Sequence, residues 1–229
     1  LDLPRVSPRP TDPETAFLRA LYAAFPDRLA KRREPHSPRG VLVGGRGVRL
    51  DPTSGVTEPE LFVCVALDAG QGEARVRQAS AVERAWLPAD QIRTEVEVEF
   101  EEGPQRVSAR RRTRFGDLLL DEAPAALPGD ETTAAVLAEA AATRLADILP
   151  PPDSDAGKLI LRWKCLRAWM PELELPAIEA ESLASLLPWV CAGCRSFADV
   201  RRADWSSALQ SLLTPVQAAA LRREAPERI

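Results

Sequence analysis

The stretch TEVEVEFEEGPQRVSARRRTRF, from Thr94 to Phe115, constrains the fold more than any other. Val96, Val98 and Phe100 alternate with Glu95, Glu97, Glu99 and Glu101, a period of two that belongs to a strand buried on one face. Gly103-Pro104 then turns the chain. The return strand sends Val107 and Ala109 one way and Arg106, Ser108, Arg110 and Arg112 the other. A loop from Glu102 to Gln105 sets Glu101 against Arg106, Glu97 against Arg110 and Glu95 against Arg112, a ladder in which each pair contributes about 0.2–1 kcal/mol. In this register Arg111 and Arg114 have no obvious carboxylate partner. The cluster Arg110, Arg111, Arg112 and Arg114 is therefore either a neutralised strand face or a phosphate-binding surface.

Around this hairpin the chain divides by texture. Residues up to Pro13 are rich in proline and arginine and read as extended. Asp12-Pro13 opens a short amphipathic helix with Phe17, Leu18, Leu21 and Tyr22 at helical spacing. Asp27 can cap a second, basic helix carrying Arg28, Lys31, Arg32 and Arg33. The segment from Arg39 to Leu50 places Gly44, Gly45 and Gly47 between apolar residues, with Arg46 and Arg49 beside them. It lacks the GxxxxGK[ST] pattern, so it reads as a bent strand at a barrel corner rather than a nucleotide loop. Leu61 to Leu67 is a core strand, Ala74 to Gln78 the next. Ala81 to Gln91 reads as a short helix with Trp86 and Leu87 tucked inward, and Leu118 to Leu120 as a last strand. Five or six strands in so short a stretch suit a small closed or nearly closed barrel, with the OB-fold as a leading candidate. Beyond Leu127 the pattern is helical, with Leu137, Ala141, Leu145 and Ile148 on one stripe and Leu159, Trp163, Leu166 and Met170 on another. Pro188-Trp189 closes a helix begun at Ile178, Asp204 can cap a helix carrying Trp205, and Thr214-Pro215-Val216-Gln217 is a capping box. The fold class is α+β: an OB-like small β-barrel preceded by short helices and followed by an all-helical C-terminal domain. The domains are 1–38 (end of a helical bundle and linker), 39–125 (barrel) and 126–229 (helical).

Composition narrows the chemistry. A net charge of −4 argues against a generic polybasic nucleic-acid binder but leaves room for local patches. Cys191 and Cys194 form a CxxC, but Cys64, Cys165 and the single histidine, His36, are scattered, so neither a zinc site nor a catalytic triad assembles. The default is reduced thiols, no metal and no catalytic residue. No apolar run approaches a membrane span, no signal peptide opens the chain, and Leu1 in place of Met reads as the start of a piece of something longer.

Several stretches together resemble the C-terminal region of the HrpB family, DEAH/RHA-type ATP-dependent helicases of bacteria. They are FPDRLAKRR (Phe25 to Arg33), VLVGGRGVRLDP (Val41 to Pro52), ARRRTRFGDLLL (Ala109 to Leu120), the run from Leu166 to Val200, and LRREAPERI (Leu221 to Ile229). The resemblance implies an accessory region that follows two RecA-like motor domains, a winged helix and a helical bundle. ATP and magnesium would belong to those motor domains, since Walker A, DEAH and arginine-finger motifs are missing here, and this chain alone would not be an enzyme. The implied partners are single-stranded RNA or DNA and the motor domains of the same polypeptide, in a cytoplasmic setting. Arg46, Arg49, Arg110, Arg111, Arg112 and Arg114 are the candidate phosphate contacts. With aromatics at only 5% of residues, backbone contact is favoured over base stacking. The rival reading is a protein-docking module, with an apolar patch near Trp189 or Trp205 in the helical half.

Overall fold

A computed structural model describes residues 12–68 and 72–226. The proline-rich start and the last residues of the LRREAPERI segment lie outside them. The chain forms two compact units, Leu1–Glu95 with Arg111–Ala123, and Val96–Arg110 with Pro124–Ile229. Among the described residues no helix is long and apolar enough to cross a membrane.

The first unit opens with α1, Pro13–Ala24, where the Asp12 carboxylate accepts from the Thr15 N–H. Only Tyr22 of its apolar stripe is buried, and Phe17 is largely exposed. The basic helix expected after Asp27 does not form. A single 3-10 turn, Pro26–Arg28, leads into strand β1, Leu29–Arg32. The run is too short between Pro26 and Pro35 to repay helix nucleation, whereas as a strand it buries Leu29 and Ala30 completely.

Four more strands follow: β2 (Arg39–Leu42), β3 (Gly47–Leu50), β4 (Leu61–Asp68) and β5 (Ala74–Val82). They close with β1 in the order β1-β2-β3-β5-β4. Every pairing is antiparallel except β3 with β5. The glycines between β2 and β3 make a tight turn rather than a bend, Gly44 and Gly45 taking positive φ with Gly45 N–H donating to Leu42 O. Gly40 is required for another reason: a Cβ there would sit 2.8 Å from Lys31 O and 2.9 Å from Phe62 Cζ. Ala30, Val48, Leu50, Phe62, Cys64, Ala74 and Val76 form one apolar cluster of the barrel.

After β5 the expected helix is replaced by two 3-10 turns, Arg84–Trp86 and Ala89–Gln91, with Leu87 buried and Trp86 half-buried. Strands β6 (Ile92–Glu101), β7 (Arg106–Phe115) and β8 (Leu118–Ala125) then form a separate sheet in the order β6-β7-β8. This corrects two readings. The barrel begins at Leu29, not Arg39, and the charged hairpin is not one of its strands. Each hairpin strand is instead shared between the units: Phe115, Leu118 and Leu120 join the core of Tyr22, Leu29, Leu61 and Val63 in the first, while Val98, Phe100 and Val107 join the helical core of the second.

The second unit continues with α2 (Asp130–Thr143), α3 (Leu145–Ile148), α4 (Asp155–Trp169), α5 (Ala180–Val190), α6 (Phe197–Arg202), α7 (Trp205–Gln210) and α8 (Pro215–Glu224). The caps fall where side-chain chemistry puts them: Ser154, Ser196 and Asp204 each accept from a backbone N–H three residues on, and Thr214 with Gln217 completes the capping box. Pro188 lies inside α5 rather than ending it. Carrying the helix past it buries Val190 and Cys191, which offsets the missing hydrogen bond. Trp163 and Trp205 are fully buried, and their indole N–H groups donate to Pro176 O and Val200 O.

Candidate nucleic-acid interface

The six arginines singled out from sequence fall in both units. Arg110 belongs to the second unit, and Arg46, Arg49, Arg111, Arg112 and Arg114 to the first. Arg110 is neutralised, its Nε 3.1 Å from Glu99 and its Nη2 3.4 Å from Glu101. Arg106 also meets Glu101, at 3.8 Å, as a loop from Glu102 to Gln105 predicts. The Glu101 carboxyl is held below its ordinary range, first by the Ser108 hydroxyl and then by Arg110 and Arg106. Arg112 donates at 2.6 Å to Glu122 of β8, a partner that two strands alone could not reveal. Arg46 and Arg114 are engaged within the chain as well, so Arg114 is not the spare cation it promised to be.

Arg49 and Arg111 are different. Both are exposed, and neither guanidinium makes an ion pair or hydrogen bond among the described residues. Strand pleating turns Arg111 to the face opposite Arg110 and Arg112, out of reach of the glutamate ladder. Arg49 projects outward between buried Val48 and Leu50 of β3.

The other basic residues near β1 are structural. Arg32 is buried and donates to the carbonyls of Pro59 and Val56 at 3.0 and 2.8 Å and to that of Ser37. Lys31 reaches the Leu120 carbonyl. Sequence could not distinguish these from surface cations, because the carbonyls that accept from them belong to other segments of the chain. The Asp51 carboxyl is drawn down to about 2, chiefly by the backbone N–H and hydroxyl of Thr53 and then by Arg75.

The remaining candidates are placed as follows. Cys191 is buried at the end of α5, its thiol pushed up to about 12 by burial. The Cys194 thiol is also raised by burial and lies 3.4 Å from Val190 O. Among the described residues no group of three or more His, Cys, Asp or Glu side chains could hold a metal ion. His36 is exposed, with Nδ1 3.2 Å from Glu58.

The fold defines an α+β chain with a closed, OB-like five-stranded barrel. No protein-family model matches the sequence. The chain is 27% identical over 221 residues to ATP-dependent RNA helicase HrpB of Escherichia coli (strain K12), covering 92% of this chain and 27% of that protein. Among solved structures it is similar to E. coli DExH-box NTPase HrpB, with 25% identity, TM-score 0.45, and 94% of this chain and 27% of that one covered. It is also similar to Escherichia coli DEAH/RHA helicase HrpB, with 26% identity, TM-score 0.43, and 90% and 26% covered. The likeness rests on sequence: along nearly its whole length this chain is similar to part of E. coli HrpB, in keeping with the resemblance read from its motifs. It spans about 27% of the length of the curated relative it matches.

Proposed function

We propose that this chain is the accessory C-terminal region of an HrpB-like ATP-dependent helicase, and that its barrel-containing unit contacts the backbone of single-stranded RNA or DNA. ATP and magnesium act in the motor domains of the same cytoplasmic polypeptide, and this region holds the strand in support of them. The observation that carries the reading is that Arg49 and Arg111 stay exposed without an ion pair among the described residues while Arg110 and Arg112 are neutralised. Arg49 also lies on β3, part of the face with which OB barrels engage oligonucleotides. Strands β2 and β3 carry no aromatic residue, which favours phosphate contact over stacking.

The test is a titration of labelled oligouridylate at low salt, repeated at rising salt. The chain should bind, and Arg111→Ala should flatten the dependence of log K on log[salt] by about 0.7, the contribution of one phosphate contact on a single strand. An unchanged slope removes Arg111 from the interface. A second reading is favoured by the exposed Leu161, Trp169 and Trp189 of the helical unit, which suit docking on the motor domains or on another protein. Trp205 takes no part, being fully buried. A chain that binds no oligonucleotide at low salt leaves the docking reading standing.

A further inference from the structure

Strands β2, β3 and β5 are neighbours in the barrel, and their pairing puts three arginines in line. Arg39 is the register partner of Arg49, and Arg49 is the register partner of Arg75. All three are exposed, and Gly40, Val48, Leu50, Ala74 and Val76 beside them are buried. Adjacent strands lie about 4.8 Å apart, so the row crosses the sheet at right angles to the strands within about 10 Å. Like charges directly opposite one another destabilise a strand pair, yet two such pairings occur here in succession.

The counter-charges do not balance the row. Glu73 lies 3.4 Å from Arg39 and 4.0 Å from Arg33, and Asp51 lies 2.6 Å from Arg75. Among the described residues two carboxylates thus serve the four guanidinium groups of Arg33, Arg39, Arg49 and Arg75, and the unserved one is Arg49, at the centre. Sequence reading could find Arg49 but not Arg39 or Arg75, because only the pairing register brings the three together.

We infer that Arg39, Arg49 and Arg75 form a phosphodiester track, on which a single strand crosses β2, β3 and β5 transversely with Arg49 as the central contact. This rests on the nucleic-acid reading above and adds its path and further contacts. Asp51 and Glu73 hold the flanking guanidinium groups in place and compete with phosphate for them. The strands of the track, RGVL, GVRL and ARVRQASAV, contain no aromatic residue, so the track reads charge and not bases.

Removing a competitor provides a test that loss of folding cannot mimic. In the full chain, Glu73→Gln should tighten binding of fluorescein-labelled oligouridylate several-fold and steepen the salt slope by about 0.7 as Arg39 is released. Glu139→Gln, an equal charge change on exposed α2 in the helical unit, should change neither. Arg49→Ala should flatten the slope by about 0.7 while leaving the urea midpoint unchanged or higher, because it removes two like-charge pairings. Oligothymidylate should give the same pattern. Binding by the parent chain with slopes unmoved by Glu73→Gln and Arg49→Ala overturns the track but leaves the nucleic-acid reading intact. Absence of binding by every variant overturns both.

Discussion

Arg32 occupies a strand position at which a charged side chain has almost no access to water. It is 4% exposed, and burial pushes its guanidinium down from the ordinary value while Glu58 pulls it back up. Three loop carbonyls, those of Ser37, Val56 and Pro59, accept from it, and its tip lies 5.5 Å from the Phe62 ring centroid. The residue therefore ties the β1–β2 and β3–β4 connections to the barrel wall. Arg32→Met keeps the apolar stem and removes the donors. Charge-assisted hydrogen bonds contribute about 1.5–3 kcal/mol each, and the accepting residues are half-buried, so part of that loss is recovered by water. The expected destabilisation is about 2–4 kcal/mol, read as a lower urea midpoint with an unchanged slope. Arg33→Met, one residue on and exposed, should cost less than about 0.5 kcal/mol.

Elements whose signals are local were legible in the sequence. The charged hairpin, the helix starts at Asp12, Asp204 and Thr214, and the stripe of Leu159, Trp163 and Leu166 appear where periodicity and capping chemistry place them, whereas the stripe of Leu137, Ala141 and Ile148, expected on one helix, is divided between α2 and α3 by a break at Arg144. What was illegible depends on partners distant in the chain. Leu29–Arg32 is a strand because β2 and β4 flank it on either side. The charge of Arg112 is balanced because β8 returns Glu122 to it. The charge row on β2, β3 and β5 exists only through register. Gly157 shows the same limit within one helix. It sits in the first turn of α4, where alanine is intrinsically favoured by about 1 kcal/mol. A Cβ there, however, would lie 2.2 Å from Pro151 O and 2.7 Å from Pro152 Cα, both backbone atoms of a stiff proline run. Gly157→Ala should therefore reverse the sign of the propensity and destabilise the chain by about 1–3 kcal/mol. Gly55→Ala, with open space around its Cβ, should stay within about 0.5 kcal/mol of the parent. Thermal melts of the two variants side by side check both signs.

At the scale of the whole molecule, a division at residues 125 and 126 looks natural in the sequence, since strands end and helices begin there. The structure makes it a poor place to cut. The chain passes from one unit to the other three times, after Glu95, after Arg110 and after Ala123, so the second unit owns the tip of the hairpin as well as the helices. Val98, Phe100 and Val107 pack in the helical core, the Phe100 and Phe197 rings lie 4.7 Å apart, and backbone bonds join Val107 N to Arg195 O and Phe197 N to Gln105 O. A chain ending at Ala126 would strip all of these away. Each large apolar side chain so exposed forfeits about 1.5–3 kcal/mol of burial, and the hairpin tip becomes an unprotected strand edge. That truncation should bind a hydrophobic dye and elute as an aggregate on size exclusion. A second truncation, also ending at Ala126 but with residues 96–111 replaced by an Asn-Gly turn, should elute as a monomer and bind little dye. It retains the Thr94–Thr113 hydroxyl contact and the packing of Phe115, Leu118 and Leu120 on Tyr22, Leu29 and Leu61. If the simple truncation is equally well behaved, the hairpin tip does not depend on the helices and the sequence-level division is the physical one. If both aggregate, the barrel-containing unit does not fold without its companion.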